Sequence, residues 1–442
     1  MTAPGALTMT SFSDESAEPA PWERLWMRAG SVPHTPLDEK ARRRSDLPRT
    51  LLPTPAGMTR PAVFDPALKQ FGNAYQAGEP RFEDEAAGPV WHRTRRTVLD
   101  IVLAAIAEGP WAEHLVLRGS VLMATWFGER ARDPGDLDFV VVPQDWAMDE
   151  PRTAGVFDAI ARDAAALAHA RGDTVLIDAA GMVTEDIWTY DRVPGRRMLL
   201  PWTAPGIPGG TVQLDLVFNE NLPAPAGLME LRPLGDGPGC RLLAASPGLS
   251  LAWKLLWLVS DAYPQGKDLY DAVLLAELAP PEYTLVRDTF VLTGYEGLRP
   301  ASRQWLESLS VDVGWEHFVA DHPWAEQTPH SCAERLGRAL EPFLAVAEPP
   351  GEESYARWAR WLRPLVESIR TVSPADPAAA LTRFSAGGLD GLAAAVVVMR
   401  EIAGPETLGL EGALAAVLAH PDGWAGFRNH PEWCEQALAP LR

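Results

Sequence analysis

Between Trp91 and Glu277 the spacing of apolar residues changes period several times, and each change marks an element. Val98, Ile101, Val102, Ala105 and Ile106 fall at i, i+3, i+4, i+7 and i+8, one apolar stripe that predicts a helix from Trp91. Leu115-Val116-Leu117 is a short apolar strand, and Arg118-Gly119-Ser120 turns it sharply into a helix over roughly Val121–Gly128. Asp133-Pro134-Gly135 reads as a tight turn, because Pro sets one backbone angle and Gly permits the next. Asp136–Val142 is then a buried strand, apolar apart from its first carboxylates. Val156, Ile160, Ala164 and Leu167 predict another helix. Strand-like pieces follow at Thr174–Asp178, Val183–Tyr190 and Arg197–Leu200, and a Pro/Gly turn cluster at 205–210 delivers the chain into the alternating strand Thr211–Phe218. Leu251–Val259 is a helix apolar on every side except at Lys254, and Gly266–Asp271 opens the next.

The flanks are patterned differently. Residues 1–57 are rich in Pro, Ser and Thr with few clustered apolar positions, and predict a disordered tail. Its basic cluster, Lys40–Arg44, is expected to be solvated. Met58 opens the patterned part and is an alternative initiation residue. Residues 58–280 form the main unit. Residues 281–370 are helical and carry Trp305, Trp315, Trp324, Trp358 and Trp361, a stripe expected to be core rather than a base-stacking platform. After a linker at Thr371–Ala378, residues 371–442 form a small helical unit.

Composition narrows the setting. A hydrophobic fraction of 47% over 442 residues allows two or three units with real cores. The net charge of -20 argues against indiscriminate coating of nucleic acid, leaving room only for a local basic groove. Cys240, Cys332 and Cys434 are too far apart for a metal-ligand spacing or a disulfide framework, so a reducing cytoplasmic location is expected. No apolar run approaches the roughly 20 residues that span a bilayer, and no membrane partner is expected.

The candidate chemistry lies in five places. Asp136 and Asp138 alternate onto one face of their strand while Leu137 and Phe139 take the other. Side-by-side carboxylates repel, and a hard divalent cation, magnesium by default, relieves the repulsion. Backbone N–H groups at Gly119-Ser120, at a helix start, suit a phosphate. Asp215 lies opposite the main apolar row of Thr211–Phe218; if that strand pairs beside Asp136–Val142, three carboxylates converge. Lys254 must be paired, reach water or face a phosphate cleft, because burying a bare ammonium is costly. Asp268 sits at a helix start, where it suits the dipole.

The order Arg118-Gly119-Ser120, Arg132, Asp136-Leu137-Asp138, Asp215, Lys254 and Lys267-Asp268-Leu269-Tyr270-Asp271 resembles the AbiEii/AbiGii toxin group of the nucleotidyltransferase superfamily, over roughly Trp91 to Glu277. Pro134 departs from the group, which has a small hydroxyl residue two before the first acid. The resemblance implies an α+β fold, a small mixed β-sheet with flanking helices followed by a mainly α-helical C-terminal region, with the sheet in a nucleotidyltransferase domain over 58–280. It implies transfer of a nucleoside monophosphate from a nucleoside triphosphate to an acceptor hydroxyl, with pyrophosphate released. The expected acceptor is RNA, tRNA-like, and the expected setting is a bacterial toxin–antitoxin or phage-defence pair with a cognate antitoxin. By the same resemblance Asp136, Asp138 and Asp215 hold two magnesium ions, manganese being admitted. Arg118, Gly119, Ser120, Lys254 and Asp268 bind the nucleotide, and Lys254 also neutralises the pyrophosphate. Two other classes remain open: a nucleotidyltransferase acting on a small molecule such as an antibiotic or metabolite, and an inactive interaction module.

Overall fold

The computed structural model describes residue 22 and residues 30–442, apart from 173, 190–192, 262, 295–296 and 309–312. Its main sheet has eight strands: β1 Leu115–Arg118, β2 Asp136–Val141, β3 Leu176–Ile177, β4 Val183–Thr189, β5 Val193–Ala204, β6 Ile207–Val217, β7 Gly227–Leu231 and β8 Cys240–Ala244. The order is β7-β8-β1-β2-β6-β5-β3, with β4 also pairing β5. The pairs β2–β6 and β8–β1 are parallel and the rest antiparallel, so the sheet is mixed as expected. A parallel pair needs a long crossover, and here the helix Pro151–Ala170 and strands β3 to β5 lie between β2 and β6 in the chain. Tyr190, the expected end of β4, lies outside the described residues.

Flanking the sheet are α1 Ala87–Glu108, α2 Ser120–Phe127, α3 Pro151–Ala170, α4 Pro247–Ser260 and α5 Gly266–Leu278. The stripe predicted on α1 is fully enclosed, with Val98, Ile101 and Val102 at 0% exposure. Helix α4 starts where Ser246 accepts the Leu249 N–H and Pro247 presets the first turn. The region beyond residue 280 is helical, and its buried residues join one apolar cluster that runs from Met58 to Leu441. Trp358 and Trp361 are core, whereas Trp324 is 47% exposed. The expected linker at 371–378 shrinks, because one helix runs to Val372 and the next begins at Pro377. The stretch Pro377–Ala403 is long and apolar enough to cross a membrane by length and composition. Its last helix, α6 Gly388–Ala403, is the most enclosed part, with Leu392 to Val398 all at 0% exposure.

The described part of 1–57 corrects the expected tail. Val32, Leu47 and Leu51 are buried with Trp22 in a satellite cluster against Ala62, Tyr75 and Ala77. Asp38 caps the helix Glu39–Arg44, in which Arg42 is buried and bonded to the Pro48 carbonyl rather than solvated. The Arg49 N–H donates to Glu185 of β4. These apolar residues are too scattered along the chain to look like a core, and they pack with Leu37 against the small ladder that pairs residues 62–64 with 75–77. Residues 1–21 and 23–29 lie outside the described residues.

Candidate active site

The turn between β1 and α2 is set by Gly119, whose φ of +83° and ψ of -148° belong to a region open almost only to glycine. A Cβ there would lie 2.5 Å from Asp138 Oδ2, so the residue is required by close approach as well. The Ser120 hydroxyl, at the first position of α2, donates to Asp136 Oδ1 (3.3 Å).

Register then assembles the acids. On β2, Asp136 and Asp138 are half-buried while Leu137 and Phe139 are fully enclosed on the other face. The parallel neighbour β6 places Asp215 directly beside Asp138 and Gln213 beside Asp136. Arg118 of β1 stands opposite Asp138, and Arg197 of β5 opposite Asp215. Directly paired residues share a face, so one row, Arg118–Asp138–Asp215–Arg197, crosses four strands with two acids between two arginines. The strand pairing expected of Asp215 is therefore observed, and it sets Asp215 beside Asp138 on one face.

The charges in this row are coupled. Burial, then repulsion from Asp136 and Asp215, pushes the Asp138 carboxyl up to about 7. Burial also acts on Asp136, but Lys267, Arg132 and Arg197, with the Ser120 hydroxyl, outweigh it and hold that carboxyl below its ordinary value. Asp215 is raised by burial against the pull of Arg197. Arg197 grips Asp215 with Nε on Oδ1 and Nη2 on Oδ2, both at 2.9 Å, and its Nη1 donates to Asp65 Oδ2 at 2.5 Å.

Other expected ligands are placed differently. Arg118 is buried, donates to Glu220 (3.3 Å) and lies over the Trp253 and Trp257 rings, so its guanidinium is not offered to solvent. Lys254 is also buried, with Nζ 2.7 Å from Asp268 Oδ1 and 3.1 Å from Asp271 Oδ2, and these acids outweigh burial and hold its ammonium charged. Arg132 Nε reaches Asp271 as well (3.3 Å), so Asp268 and Asp271 tie α4, α5 and the approach to β2 together. These four groups neutralise one another in place. Lys267, half-buried at the start of α5, acts electrostatically on both Asp136 and Asp138 and is in no ion pair among the described residues.

Sequence reasoning missed Arg197, Asp65 and Glu220, and passed over Lys267 as a site residue. The alternation of β5 could have flagged Arg197, a charge on the same strand face as Val193 and Leu199 and directly before the apolar run Met198–Leu200. Nothing local points to Asp65, whose partner is 132 residues away.

The donor set suits a hard cation in part. Asp136 and Asp138 supply oxygens, and the Asp138 carboxyl is raised first by burial and then by repulsion from Asp136 and Asp215, the part that a cation would relieve. Among the described residues, however, no three acids are yet gathered closely enough to hold an ion, because Asp215 is turned to Arg197.

The family model for the nucleotidyl transferase AbiEii toxin of type IV toxin–antitoxin systems matches residues 101–369. MenT4, a nucleotidyltransferase toxin from Mycobacterium tuberculosis H37Rv, is a solved structure similar to this chain at a TM-score of 0.40 and 15% identity, covering 65% of this chain and 95% of its own. Nothing among curated proteins matches.

Proposed function

The chain belongs to the AbiEii family of nucleotidyl transferase toxins of type IV toxin–antitoxin systems, and from that premise we propose that it moves a nucleoside monophosphate from a nucleoside triphosphate to an acceptor hydroxyl, releasing pyrophosphate. Membership also implies a cognate antitoxin. The observation that carries the reading is the row of paired strand residues that sets Asp138 and Asp215 side by side, with Asp136 two residues away on the same face.

Asp136 and Asp138 would hold magnesium or manganese, with Asp215 joining them on the acceptor side. Two such ions would supply charge neutralisation of the phosphates and stabilisation of the entering and leaving oxygens of an in-line displacement. The chain's own groups do the rest. The α2 N-terminus and the Ser120 hydroxyl hold the terminal phosphates. Asp215 Oδ takes the proton of the acceptor hydroxyl. Lys267 faces the charge that grows on the departing pyrophosphate, a role that Lys254, consumed by Asp268 and Asp271, leaves to it. Lys254, Arg118 and Asp268 thus act as positioning groups.

The expected acceptor is RNA. The second reading, a small hydroxylated molecule, is favoured by the net charge of -20 and by arginines near the site that are already paired. Arg95 binds Glu79, Arg96 binds Asp133, and Arg132 binds Asp271. Incubation with each radiolabelled nucleotide and total RNA separates the two, since label must enter RNA under the first and only small solutes under the second. Asp136→Ala should abolish labelling of either while leaving the melting transition in place. An active Asp136→Ala protein would remove the assignment.

A further inference from the structure

Arg197 serves two carboxylates from distant parts of the chain. Both oxygens of Asp215 accept from its guanidinium, and Gln213 Nε2 also donates to Oδ2 (3.2 Å). On the other side stands Asp65, which is fixed by its own backbone: its N–H donates to the Ala74 carbonyl (2.8 Å) and its Oδ1 accepts the Ala67 N–H (3.0 Å). Arg197, Asp65 and Asp215 are 5%, 6% and 7% exposed. A cation on Asp215 would meet this buried guanidinium at close range. Moving the guanidinium off Asp215 with nothing to receive it would leave an unpaired buried charge, which is strongly unfavourable. Asp65 is already in contact and needs no rearrangement to receive it.

We infer that Arg197 is the resting occupant of Asp215, and that Asp65 keeps Arg197 neutralised when a divalent cation takes Asp215, so that Asp65, remote from the reacting atoms, sets the affinity of the site for that cation. The inference rests on the reading of Asp215 as a cation ligand. Asp65 and Arg197 are positioning residues, and the readout is ion binding, not turnover.

The test is titration of the full chain with Mn2+, followed by the spin-resonance signal of the free ion. Asp65→Asn should weaken Mn2+ binding about tenfold or more, the equivalent of about 1.4 kcal/mol. Arg197→Met should tighten it. In the Arg197→Met background, Asp65→Asn should have little further effect, because its influence passes through the guanidinium. If Arg197→Met does not fold, Arg197→Gln, which keeps hydrogen-bonding capacity but carries no charge, replaces it in the cycle with the same expected signs. Asp65→Asn leaving binding unchanged, or weakening it equally with and without Arg197, overturns the inference and leaves the cation reading intact. Wild-type protein that binds no Mn2+, or Asp136→Ala protein that binds it as wild type does, overturns the cation reading and this inference with it.

Discussion

Gly119 is constrained by both its backbone angles and the nearness of Asp138. Gly119→Ala should therefore cost about 1–3 kcal/mol of stability and displace the Asp138 carboxylate, with nucleotide transfer falling about a hundredfold or more in the labelling assay. Asp138 itself reports the electrostatics. Its folded value of about 7 stands above the ordinary 3.8, so the folded state holds the proton more tightly than the unfolded chain does. The stability this contributes is complete below about pH 4 and is lost as pH rises to about 7. In chelator, the melting temperature of Asp138→Asn should accordingly gain on wild type between those limits and hold its lead above them. A flat difference across that range would show that the carboxyl is not raised. Lys267→Met should lower kcat/KM about tenfold or more; it breaks no ion pair among the described residues, but it removes a positive charge that favours the ionised form of Asp136, so the melting transition should fall slightly at neutral pH.

At the scale of elements, α4 and α5 form a braced pair. Lys254 sits between Asp268 and Asp271, and Asp271 is also held by Arg132. Lys254→Met would leave two buried carboxylates short of a counter-charge, and such breakage typically costs about 3–5 kcal/mol; calorimetric melting should show it even with no substrate present. Elements with a strong period were legible in sequence: the α1 stripe, the acidic start of β2 and the alternation of β6 all lie close to where periodicity put them. The hairpin β7–β8 was not, because Gly227–Leu231 and Cys240–Ala244 are short, and Leu228, on β7, points out to solvent. The same limit hid the site's electrostatics. Asp136, Asp138 and Asp215 show themselves by alternation, but whether Arg118 and Lys254 face a ligand or an internal acid depends on Glu220, Asp268 and Asp271, which only the tertiary fold brings near.

For the molecule as a whole, the C-terminal helices close the core. Leu392 to Val398 are fully enclosed and belong to the same apolar cluster as the sheet. Removing residues 377–442 should expose that surface and give aggregated or partly unfolded protein, seen as loss of the cooperative melting transition; a truncated chain that melts as sharply as the full one would show that this part is separable.

The ion pairs around the acids bear on the order in which the reactants arrive. Asp65, Asp136, Asp138, Asp215, Glu220, Asp268 and Asp271 are seven negative groups set against five positive ones, Arg118, Arg132, Arg197, Lys254 and Lys267. When all are ionised, this set of groups carries an excess of the same sign as a triphosphate. On the proposed reading a first divalent ion would balance it and a second would reverse it. The triphosphate would then be expected to enter together with its ions rather than ahead of them.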